Sequence, residues 1–132
     1  MESVYIGTSL FNADRARTIQ RKFREAGVEI SYEWWKHGQV FSTADLAKFG
    51  ELEEAGVRNC GLFFMIQPGR HGTHCELGMA RVLGKHVVIL EDQKPTEEKT
   101  FYYRPDGHAR PIHKFRDEDE AIAFAINLLR EL

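Results

Sequence analysis

Two short runs constrain the fold of this chain more than anything else in it. Residues 60–66 read Cys-Gly-Leu-Phe-Phe-Met-Ile, and residues 87–90 read Val-Val-Ile-Leu. A strand with one face in water alternates polar and apolar residues. A strand apolar on both faces belongs in the middle of a parallel sheet covered by helices on each side. Between the two runs, Leu77, Ala80 and Leu83 fall on one side of a helix expected over about 73–83, and Gly84 stands where that helix should stop.

The same alternation extends outward. Val4, Tyr5 and Ile6 form an apolar run that ends in the small-residue turn Gly7-Thr8-Ser9. Ala16, Ile19, Phe23 and Ala26 then recur at helical spacing, with Gly27 as the stop. Val28, Ile30 and Tyr32 alternate with other residues as a half-buried strand would. Ser42 with Asp45, and Asp117 with Glu120, look like helix starts. Gly50 and Gly56 are weak points in the continuity of the second helix. Residues 39–43 read as loop, and 91–110 as a polar connection whose Phe101-Tyr102-Tyr103 patch is either a short strand or a lid. The expectation is a single α/β domain over 1–132: three layers, a five-stranded parallel sheet and helices on both faces.

Composition narrows the function classes. Lys and Arg number 18 and Asp and Glu 20, a net charge of −2, too near neutral for a general nucleic-acid or anionic-membrane binder. No apolar run approaches the ~20 residues of a membrane span. Two cysteines, Cys60 and Cys75, are too few for a disulfide-stapled scaffold, so a cytoplasmic setting with reduced thiols is expected.

In an open parallel sheet, ligands bind beyond the carboxyl ends of the strands. Three segments fall there: 7–12, 32–41 and 67–76. In the third, Gly69 and Gly72 allow close backbone approach, Arg70 offers a charged partner, and the amides opening the next helix can receive an anion. Glu76, expected in the first turn of that helix, is either a cleft carboxylate or a residue that stabilises the helix dipole. In the first segment Tyr5 is either a hydroxyl for that carboxylate or core, Phe11 is a candidate for base stacking, and Asn12 either lines the site or caps a helix. Of Trp34 and Trp35, one at most can line a cleft, because neighbours on a strand face opposite ways. His71, His74 and Cys75 lack the further ligands a zinc site needs, so no metal is expected. His37, His86, His108 and His113 are scattered and read as surface residues.

Gly72-Thr73-His74-Cys75-Glu76-Leu77-Gly78-Met79-Ala80, followed by Leu83-Gly84-Lys85-His86-Val87-Val88, resembles the signature of the nucleoside 2-deoxyribosyltransferase family. Val4-Tyr5-Ile6-Gly7 with Phe11 is similar to that family's first strand and loop. Together the motifs frame about two-thirds of the chain. The resemblance implies a flavodoxin-like fold and cleavage or transfer at an N-glycosidic bond. It implies Glu76 as nucleophile, Tyr5 orienting it, and Gly7, Ser9, Phe11, Asn12, Trp34, Gly69, Arg70, Gly72 and Thr73 around a nucleoside or nucleotide. It implies no cofactor and, with the apolar surface of so small a domain, a homodimer or larger homo-oligomer. Where the family carries an aspartate before the loop, this chain has Asn59-Cys60; Glu53 or Glu54 is another acidic candidate. Residues 68–76 are also similar to the Pro-Gly-Gly-x-Gly-Thr-x-x-Glu motif of cytokinin-activating nucleotide phosphoribohydrolases, with Arg70 in place of the second glycine. Two competing expectations are a nucleotide sensor with little catalysis and an NAD-cleaving module like Toll/interleukin-receptor domains.

Overall fold

The computed structural model describes residues 1–38, 40, 42–104 and 110–132. Gln39 and Phe41 of the expected loop, and His108, lie outside the described residues. Four strands, β1 (Val4–Gly7), β2 (Leu62–Ile66), β3 (His86–Leu90) and β4 (Ile112–Phe115), form one parallel sheet in the order β1-β2-β3-β4. Four helices accompany them: α1 (Ala13–Glu25), α2 (Thr43–Asn59), α3 (His71–Val82) and α4 (Glu118–Glu131).

The sheet has four strands where five were expected. The missing one is the stretch at Val28, Ile30 and Tyr32, which makes a single parallel bridge between Ile30 and Val4. Val4 N–H donates to the Glu29 carbonyl and Ser31 N–H to the Val4 carbonyl, each at 2.9 Å. The next rung of a parallel ladder would use the Ile6 carbonyl. That carbonyl accepts instead from the Trp34 indole Nε1 at 2.6 Å. The chain leaves the sheet edge for a 3-10 turn, Trp34–Lys36, and both indoles go into the core.

Adjacent residues of β2 show how the layers are built. Phe64 meets Phe23 of α1 edge-on, with ring centroids 5.3 Å apart. Phe63 points the other way and stacks on Tyr5 of β1 at 5.7 Å. Tyr5 in turn lies against Gly56 of α2, so α1 and α2 cover opposite faces of the sheet. Arg15 and Lys22 of α1 pair with Glu118 of α4, joining those two helices on one side. Each large side chain sealed in this way contributes roughly 1.5–3 kcal/mol. The expected caps form: Ser42 accepts from Asp45 N–H at 3.1 Å and Asp117 from Glu120 N–H at 2.9 Å. Phe101–Tyr103 is a 3-10 turn rather than a strand. No helix among the described residues is long and apolar enough to cross a membrane.

Candidate active site

The third helix starts at His71, two residues earlier than the spacing predicts, so Glu76 falls in its second turn. The first turn carries no acidic residue, and the dipole role does not apply to Glu76. Its side chain turns inward with Thr73, Leu77 and Ala80 and is 7% exposed. The Tyr5 hydroxyl, on a fully buried ring, donates to Glu76 Oε2. Burial pushes the Glu76 carboxyl up to about 8; the Tyr5 bond pulls it down, and the charge of Glu53 pushes it up again. Burial and the neighbouring Glu76 hold the Tyr5 phenol well above its ordinary range. These surroundings therefore favour the protonated form of Glu76.

A second carboxyl acts on this pair through its charge. Glu53 of α2 is close enough for its charge to raise both Glu76 and Tyr5. Its own carboxyl is raised by burial, against the lowering effect of His37, whose Nε2 lies 3.3 Å from Glu53 Oε1. The next residue, Glu54, faces outward and pairs with Arg58 at 2.8 Å. His37 is no surface residue: its side chain is 12% exposed and its ring stacks on Phe49 at 4.2 Å. Tyr32, His37 and Phe49 line a cavity of about 450 Å³ together with Glu33 and Lys36. A larger cavity of about 600 Å³ lies along α2 and α3, lined by Arg58, His74, Cys75, Met79 and Tyr102 among others. Neither cavity is lined by Glu76 or Tyr5, which are closed in.

The remaining candidates divide into two groups. Asn12 holds the N-cap position of α1 but its side chain makes no capping bond there; its Nδ2 donates to Thr8 Oγ1 at 3.1 Å and to the Pro68 carbonyl at 3.2 Å, tying the first loop to the third. Phe11 is 80% exposed, with the Arg70 guanidinium 4.5 Å from its ring centre. Thr73 Oγ1 accepts from Arg70 N–H at 3.3 Å. Gly69 N–H donates to both carboxylate oxygens of Glu97, at 3.0 and 2.9 Å. Gly72 has open space beside it. These residues cluster at the carboxyl end of the sheet. The other group is held by packing. A Cβ at Gly7 would sit 2.6 Å from the Phe63 ring, Ser9 is buried, and Trp34 is 7% exposed with its nitrogen bonded to the backbone.

Asn59 ends α2, and the buried Cys60 thiol, raised to about 11 by burial, donates to the Val57 carbonyl. The acid whose charge reaches Glu76 is Glu53, one of two acids the sequence left open. Nothing in the sequence marks His37 and Tyr32; an aromatic and a histidine there carry no signal until α2 brings Phe49 and Glu53 over them. Among the described residues no three His, Cys, Asp or Glu side chains converge as metal ligands.

Comparison with known proteins places this arrangement in a class of fold. No family profile and no curated protein matches the chain. Solved structures do. One is the solution structure of BlsM, at 22% identity and a TM-score of 0.70, covering 98% of this chain and 90% of that one. Another is the Clostridium botulinum CMP N-glycosidase BcmB, at 18% identity and a TM-score of 0.60, covering 94% and 98%. The chain shares its fold with these two proteins over nearly its whole length.

Proposed function

We propose that this chain cleaves the N-glycosidic bond of a nucleoside 5′-monophosphate, with Glu76 as nucleophile, Tyr5 orienting it and Glu53 as the acid for the leaving base. The observation that carries this reading is the buried Tyr5–Glu76 hydrogen bond, with Glu53 near enough for its charge to reach both groups. Two carboxyls in unlike surroundings are the arrangement by which one site supplies both a nucleophile and an acid. The fold shared with a CMP N-glycosidase supports the same bond type.

Glu76, its resting proton released to solvent, attacks the anomeric carbon as a carboxylate while the carbon–nitrogen bond breaks, and the bonding pair leaves on the base, which takes a proton from Glu53. Positive charge developing on the sugar favours the ionised form of Glu76 that burial opposes. Water then attacks the glycosyl-enzyme, returns a proton to Glu53 and frees Glu76; a second base in place of water gives transfer. Substrate enters from the Tyr32–His37 cavity past Glu53. Its phosphate meets the loop of Gly69, Arg70, Gly72 and Thr73, where backbone amides and a guanidinium suit an anion. The apolar α2–α3 surface, with Val82 72% exposed, suits a homo-oligomer.

The test incubates the protein with CMP, dCMP and the other nucleoside monophosphates and separates free base by chromatography. Free base is expected with at least one of them, and Glu76→Gln should lower the rate by about 1,000-fold or more. An equal rate in that variant overturns the nucleophile. The closed state of Glu76 favours a second reading, a nucleotide-binding protein without turnover; calorimetric binding of CMP with no base released would establish it.

A further inference from the structure

The 3-10 turn at Trp34–Lys36 delivers His37 into a slot that the proposed chemistry has not yet used. Its imidazole lies between Phe49, at 4.2 Å and 19° between planes, and Tyr32, at 6.1 Å and 27°. Two stacked rings fix its plane. Nδ1 is 3.0 Å from the Gly38 carbonyl oxygen, which can only accept, so Nδ1 carries a hydrogen. Nε2 is buried and has no formed hydrogen bond, yet it lies 3.3 Å from Glu53 Oε1. With Nδ1–H committed, a neutral imidazole presents a lone pair at Nε2. A lone pair facing a carboxylate oxygen at that distance repels it; one proton between them turns the contact into a charge-assisted or neutral hydrogen bond.

We propose that His37 is a positioning residue for the leaving-group acid: it shares one proton with Glu53 and aims that carboxyl at the leaving base. The inference rests on the N-glycosidase reading and adds to it a residue that acts on the leaving base through Glu53. The groups facing the pair are Tyr5 from β1, Glu76 from α3 and Tyr32 from the edge segment. Glu33 and Lys36 stand at the rim of the same cavity. As the carbon–nitrogen bond breaks and its electron pair leaves on the base, the shared proton passes from Glu53 to the base. The carboxylate then stands beside neutral His37. The water that releases Glu76 from the anomeric carbon returns its proton to the Glu53–His37 pair, so each turnover consumes one water and leaves the pair as it began.

The test compares two substrates: CMP, whose base needs a proton to leave, and 4-nitrophenyl riboside 5′-phosphate, whose phenolate does not. His37→Phe keeps the stack and removes both nitrogens. Its kcat on CMP should fall about 10- to 100-fold with KM within about twofold. The basic limb of its kcat profile should move to higher pH, because the partner that opposes the effect of burial on Glu53 is gone. On the nitrophenyl substrate kcat should change by less than about twofold, and His37→Phe with Glu53→Gln should be no slower on CMP than Glu53→Gln alone. Equal loss on both substrates, or a wild-type rate and profile on CMP, overturns the proposal. Glu76→Gln separates the two claims, since loss of the nucleophile abolishes both substrates whether or not His37 matters. Should the phenylalanine variant fold poorly in a thermal melt, His37→Asn serves the same comparison. If neither substrate turns over, imidazole nitrogen NMR decides. Nδ1–H and an Nε2 resonance that moves in Glu53→Gln support the shared proton, and an Nε2 resonance unchanged by that substitution overturns it.

Discussion

At the scale of single residues, Glu76 ties function to stability. Its carboxyl is raised from 4.5 to about 8 in the folded chain, so folding favours the protonated form. The sign follows directly: the contribution is complete below about pH 4.5 and is lost as pH rises toward 8, by at most ~1.4 kcal/mol per pH unit. Glu91, raised to about 7 by burial and by its contact with Glu98, adds to the same slope. Urea midpoints should therefore fall between pH 5.5 and pH 8, and Glu76→Gln should flatten most of that fall. A midpoint equally pH-dependent in the variant would show that Glu76 is ionised in the resting protein. The partnership of Tyr5 with Glu76 was legible in the sequence, because a strand residue and a motif glutamate each pointed to one end of the sheet. The place of Glu53 was not. Glu51, Glu53 and Glu54 carry the same charge on one helix, and only the packing of α2 decides which of them turns inward.

At the scale of elements, two glycines of α2 test what the helix is for. The sequence reads Gly50 and Gly56 alike, as weak points, yet α2 runs unbroken from Thr43 to Asn59. They differ in surroundings. A Cβ at Gly50 meets nothing within 4 Å, whereas one at Gly56 would lie 2.7 Å from Tyr32 Cβ and 2.9 Å from the Tyr5 ring. The close approach at Gly56 lets α2 lie down on Tyr5 and bring Glu53 to Glu76. Gly56→Ala should destabilise by about 1–3 kcal/mol through overpacking. Gly50→Ala should stabilise by about 0.5–1 kcal/mol, since alanine is the better helix former at an open position. Denaturant midpoints check both, and a loss at Gly50 as large as that at Gly56 would refute the distinction. The lost fifth strand has a similar lesson. Alternation at Val28, Ile30 and Tyr32 predicts a strand, and the chain makes only one bridge there, from Ile30 to Val4. The pattern could not foresee that Trp34 would take the carbonyl on which the next rung depends.

At the scale of the whole molecule, the polar stretch after β3 folds back over the carboxyl ends of the strands. Asp92 N–H donates to Gln67 Oε1 and Gln67 Nε2 to Glu98 Oε2, each at 3.0 Å; Tyr103 Oη lies 3.1 Å from His74 Nδ1. Within this clasp the Glu97 carboxylate occupies the Gly69 amide and sits 3.5 Å from His74 Nε2. The protein thus places an anion of its own on the loop where the proposed function puts a phosphate. Two anions cannot hold one amide, so a phosphate seated on this loop would have to displace Glu97. Glu97→Gln keeps the size and an accepting oxygen but removes the charge, which weakens the clasp because charge-assisted bonds are about twice as strong as neutral ones. The Gly69 amide should then exchange faster with deuterium. KM for CMP should fall several-fold, while KM for cytidine, which brings no phosphate, should stay within about twofold. A fall in both would mean that Glu97 restrains the site as a whole, and a change in neither would mean that the phosphate binds elsewhere on the protein.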